Sequence, residues 1–124
     1  MKVATWTETA SASNGTATAT HAAVLGKSHF LTGVIVSCSD YNAVQPVTLT
    51  VTVKDDTTEI LKFAMTSSGH DDYDPTGQPV VINLSSPIQI TVSKPVSVEV
   101  AGATMYETSH ANILGFTSVA RQED

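Results

Sequence analysis

Cysteine is almost absent from this 124-residue chain. Cys38 stands alone, which excludes an internal disulfide framework and a metal site built from several thiolates. Long apolar runs are missing too. None approaches the roughly 18 residues that a membrane helix needs, so neither a helical span nor a membrane partner is expected. The opening MKVATWTETA has no apolar stretch of signal-peptide type, and no leader is expected there. Basic residues are few and scattered: five Lys and one Arg stand against 12 acids, for a formal net charge of −6. That balance argues against nucleic acid as a partner, because phosphate binding rests on clustered cations. Charged residues make up only 15% and hydrophobic ones 41%, which excludes a chain disordered over most of its length.

What is present is alternation. Val47, Leu49, Val51 and Val53 share one side of an extended segment, with Thr48, Thr50, Thr52 and Lys54 on the other. Successive strand side chains point to opposite faces, so this is a strand with one buried and one wet face. The same period runs through Leu61, Phe63 and Met65, through Val80, Ile82 and Leu84, through Ile88, Ile90 and Val92, and through Val96, Val98 and Val100. Phe30 to Cys38, FLTGVIVSC, is apolar on both faces in places, as a central or interface strand would be. Gly33 inside it marks a bulge or a close backbone approach. Phe30, Phe63 and Phe116 are read as core. Asp55 to Thr58 is a hairpin turn, while Ser85-Ser86-Pro87 and Ser93-Lys94-Pro95 interrupt the later strands. Seven or eight short strands predict an all-β fold: an antiparallel β-sandwich, jelly-roll-like, with an extended N-terminal arm. Residues 1–15 are the arm and residues 16–124 a single sandwich domain.

The arm is small, polar and unable to form a core of its own, so it is expected to be ordered only by docking. Trp6, flanked by Thr7 and Thr9, is its one large apolar group. It anchors either in a pocket on a neighbour or back on its own domain.

Candidate chemistry is sparse. His70-Asp71-Asp72-Tyr73-Asp74 offers three carboxylates, Asp71, Asp72 and Asp74, to a cation such as Ca²⁺, though not in EF-hand register; a solvated loop tip explains them equally. His21 and His29 can face each other across a hairpin, sharing a metal or making ordinary hydrogen bonds. Tyr41 and Tyr73 fall in loops, where a sandwich displays binding groups. No nucleophile elbow and no phosphate loop occurs. Neither an enzyme nor a cofactor is expected.

Four segments resemble small tailed-phage virion structural proteins. Gly26 to Val34, GKSHFLTGV, is similar to their opening strand. VTVKDDTTEILKF follows as an alternating strand with an acidic hairpin. SSPIQITV then leads to a valine-rich strand, and Asn112-Ile113-Leu114-Gly115-Phe116-Thr117 is similar to their closing strand. The resemblance spans about residues 20–119; the acidic stretch Ser67 to Gly77 and the Thr/Ala-rich arm depart from it. It implies a structural protein of a virion, foremost a capsid decoration or cement protein bridging neighbouring subunits of the major capsid protein. It implies a homotrimer or homodimer on the capsid surface. A tail or baseplate module and a carbohydrate-binding sandwich remain as alternatives. The partner-binding residues expected on this reading are Trp6, Thr7, Thr9, Tyr41 and Tyr73.

Overall fold

A computed structural model describes residues 3–40, 47–66, 79–104 and 107–119. Eight strands carry almost all of them: β1 (Val3–Ser13), β2 (Ala17–His21), β3 (Lys27–Asp40), β4 (Thr48–Asp55), β5 (Thr58–Thr66), β6 (Val80–Gln89), β7 (Val96–Ala101) and β8 (Glu107–Val119). Every pair is antiparallel. The pairs β1–β8, β2–β7, β3–β6 and β4–β5 are those of one long hairpin ribbon with its tip at Asp56-Thr57. Rolling that ribbon brings β8 beside β3 and β7 beside β4. Two four-stranded sheets result, ordered β1-β8-β3-β6 and β2-β7-β4-β5. The fold is therefore an antiparallel jelly-roll sandwich.

The alternating residues close the core between the sheets. Leu49, Val51 and Val53 of β4 and Val96, Val98 and Val100 of β7 are fully buried. They face Leu31, Val34 and Val36 of β3 and Ala111 and Ile113 of β8, also buried. β-branched side chains suit this setting because their stiff χ1 fits a pleated surface. At the tip, Asp56 takes a left-handed φ of 58°, which a short polar side chain tolerates.

One alternative left open is decided and two expectations are corrected. The N-terminal arm does not depend on a neighbour for its pairing: β1 pairs with β8 of its own chain from Val3↔Ser118 to Ser13↔Thr108. The backbone groups that face β8 are satisfied within the sheet, and β1 forms one of its two edges. Phe30 and Phe116 are not core. They pair across β3 and β8 on the outer face, rings stacked at 4.9 Å and 7°. Ser85-Ser86-Pro87 does not end a strand. β6 runs through it, as a bulge opposite Leu31 to Gly33. β6 is an edge strand, where the missing N–H of Pro87 leaves no ladder position unfilled. The bulge expected at Gly33 is present.

Candidate functional site

Four strands bring an aromatic and imidazole cluster together at one end of the sandwich. Inward side chains alternate along β1, so Trp6 and Glu8 point the same way. Trp6 crosses over to Gly115, its register partner on β8. Gly115 is required there by space: a Cβ on it would lie 2.6 Å from Trp6 Cζ2 and would also strike the Phe30 carbonyl oxygen. Beyond the indole lie His21 at the end of β2 and His29 near the start of β3. His21 stacks on Trp6 at 4.1 Å and 13°. His29 meets His21 edge-on at 4.4 Å and Trp6 edge-on at 5.8 Å. The two histidines come from opposite sheets, so they face each other across the sandwich rather than across a hairpin.

Hydrogen bonds fix the protons. His29 Nε2 lies 2.8 Å from the Ala22 carbonyl, which only accepts, so Nε2 carries a proton. In the neutral ring Nδ1 then accepts, and the Thr117 hydroxyl, 2.7 Å away, donates to it. Thr117 Oγ1 in turn accepts from the Trp6 indole N–H at 3.0 Å. The order is Trp6 to Thr117 to His29 to Ala22, each group donating once. His21 Nδ1 donates to Glu8 Oε2 at 2.8 Å. Both nitrogens of His29 are thus committed to protein groups, and the shared metal weighed from the sequence gives way to hydrogen bonds. Among the described residues no group of three His, Cys, Asp or Glu is placed to hold a metal ion.

His29 is fully buried. Burial, above all, pushes its imidazole below the ordinary 6.5; the Ala22 bond opposes this and nearby His21 adds to it. The unfolded chain therefore takes up this proton near pH 6.5 while the folded chain resists it. His29's contribution to stability is complete above about pH 6.5 and is lost as pH falls through its lower folded value. Thermal melts should accordingly drop by a few degrees between about pH 7.5 and 5.5. His29→Gln should remove that part of the drop; an identical pH profile in the variant would refute the assignment.

The outer face of the β1-β8-β3-β6 sheet is the second candidate. It is mostly hydroxyl and amide: Thr5, Thr7, Thr9 and Ser11 on β1, Asn112 and His110 on β8. Through it runs an apolar seam: the Phe30–Phe116 stack, Leu114, Ile35 and Val81, the last 52% exposed. A shallow groove of about 370 Å³ beside the seam is lined by Thr5, Trp6, Thr7, Thr32, Leu114 and Gly115. At the opposite end of the sandwich Glu107 is buried. Its carboxylate accepts from the Thr104 backbone N–H at 2.7 Å and from the Thr104 hydroxyl. These bonds tie Thr104 to the first residue of β8.

Of the residues expected to bind a partner, Trp6 is inside the cluster and packs on its own domain. Thr7 and Thr9 are exposed on β1, with Thr7 in the groove. Tyr41, Tyr73, Asp71, Asp72 and Asp74 lie outside the described residues. Sequence reasoning missed Thr117, Glu8 and the outward Phe30–Phe116 pair.

No protein-family model matches the chain, and no curated protein matches it. Among solved structures, an aminopeptidase from the marine sediment archaeon Thaumarchaeota archaeon is similar at 6% identity and a TM-score of 0.36. That similarity covers 85% of this chain but only 26% of the aminopeptidase chain, and it carries no argument about activity.

Proposed function

We propose that the protein is a non-catalytic structural component of a virus particle, of the capsid decoration or cement kind. It docks on the major capsid protein through the outer face of the β1-β8-β3-β6 sheet. The observation that carries this reading is the apolar seam on an otherwise hydroxyl-rich face. Phe30 and Phe116 stack there, with Val81 open to solvent, although the core on the other side of the sheet is already filled. Apolar seams rimmed by polar groups mark interaction faces. The segments that resemble tailed-phage virion proteins support the same reading, and double-sheet jelly rolls serve in viral capsids. A homotrimer or homodimer repeated over a symmetric shell would gain avidity from several modest seams.

The test uses particles stripped of this protein and then incubated with it. Wild-type protein should rebind at hundreds of copies over the shell. Val81→Glu combined with Leu114→Glu should cut occupancy at least tenfold, a loss of about 1.4 kcal/mol, while far-UV circular dichroism stays unchanged. Binding of a dozen or fewer copies at one vertex would move the protein to the tail. No rebinding at all would end the virion reading.

A further inference from the structure

The Trp6 cluster has a property that docking on a shell does not use. Along the inward side of β1, Trp6 is the one bulky apolar group; Ala4, Ala10 and Ala12 are small and Glu8 is polar. Apart from its ladder to β8, β1 is therefore held by Trp6 and by the bond from Glu8 to His21 of β2. The indole in turn is seated by a hydrogen bond to Thr117, whose own proton is committed to His29.

We propose that Trp6, Thr117 and His29 form a proton-operated latch on β1: neutral His29 keeps Trp6 seated over Gly115, and protonated His29 unseats it, so that β1 comes away from β8. The step is a proton uptake from water at Nδ1 of His29. Nδ1 then becomes a donor and points at a Thr117 hydroxyl that was itself donating. Thr117 must turn its proton away, into a setting that is 8% exposed, while still accepting from Trp6. A buried hydroxyl left without an acceptor and a buried imidazolium are both unfavourable.

The charged and titratable groups around the ring are few. Glu8 comes from β1, bound to His21 of β2. Lys27 opens His29's own strand. Thr117 of β8 is uncharged. The segment after β6, which bonds the His29 carbonyl through the Ile90 N–H, brings Thr91, whose N–H and hydroxyl donate to the Asp55 carboxylate of β4 at 3.0 and 2.8 Å, and Lys94, which pairs with Asp56 at 3.8 Å. Glu8 is the acid nearest to the cluster, and its oxygen is already occupied by His21 Nδ1. The released edge of β8 would present a row of unpaired backbone groups.

The latch concerns the isolated chain, so it stands or falls apart from the virion reading. Amide hydrogen exchange with intrinsic rates removed, together with emission of the single Trp, tests it on purified protein. Between about pH 7.5 and 5.5, protection of β1 amides should fall several-fold, towards the limit of about tenfold that one proton binding near pH 6.5 in the opened state allows, β6 amides at the other edge should hold, and Trp6 emission should shift over the same range. Protection of β1 that stays constant would overturn the proposal without any variant. His29→Gln keeps a donor for Ala22 and an acceptor for Thr117 but cannot be protonated, so it should abolish both changes. If it titrates like wild type, the latch is wrong. His21→Gln should retain the transition. Thr117→Val breaks the relay directly and should leave β1 exchanging fast at both pH values; wild-type protection in that variant would also overturn it.

Discussion

Gly115→Ala should destabilise the protein by roughly 2–3 kcal/mol and displace its tryptophan. The new methyl group would meet two obstacles at once. One is the Phe30 carbonyl oxygen of the neighbouring strand, which cannot yield without breaking the β3–β8 ladder. The other is the indole, with Cζ2 at 2.6 Å and Cη2 at 2.7 Å. The ring is the softer of the two and moves, while the clash with the carbonyl forces a local shift of the β3–β8 ladder as well. The indole then loses its stack on His21 and its bond to Thr117, each a contribution of about 1 kcal/mol. Denaturant unfolding measures the first effect, and a red shift of native-state emission the second. Wild-type emission in the variant would show that the indole does not rest on Gly115.

Ile113→Ala, two residues earlier on β8, should behave differently. Ile113 is fully buried and lies in register between Glu8 of β1 and Val34 of β3. Truncation leaves a cavity where the two sheets meet and should cost about 3 kcal/mol. Gly115, the ring of His21 and the Thr117 hydroxyl, which seat Trp6, are all retained, so native emission should match wild type while the unfolding midpoint falls. Calorimetry should show the domain still melting in one transition. The pair of variants separates seating of β1 from cohesion of the whole sandwich. A red-shifted native emission in Ile113→Ala would mean that the two are not separable.

Much of the architecture was legible because period-two alternation reports a strand directly, as at Val47 to Lys54. Alternation does not say which parity faces inward, and the bulge at Leu31 to Gly33 changes it within one strand. Leu31 is inside before the bulge; Val34 and Val36 are inside after it. That switch makes FLTGVIVSC read as apolar on both faces and hides the outward direction of Phe30. The destination of the first strand was not legible either. Ala, Thr and Ser in alternation are compatible with any edge, and only the rolled topology assigns them to β8. At the candidate site, the spacing of His21 and His29 suggested a hairpin pair, whereas they meet because their strands lie in opposite sheets. Trp6 and Thr117 are 111 residues apart, and no local pattern announces their bond.

The rolled ribbon also sets an order in time. The first strand pairs with the last, so β1 emerges from the ribosome with no β8 to receive it. At roughly 5–20 residues per second, several seconds pass before the closing strand is made. During that interval the Ala/Thr/Ser composition of β1 offers little for premature association, and its one sticky group is a single tryptophan. Long-range closure of this kind slows folding compared with local pairing. A chain cut short before β8 would therefore carry two open edges, on β1 and on β3, and nascent chains of that length are the ones expected to need a chaperone.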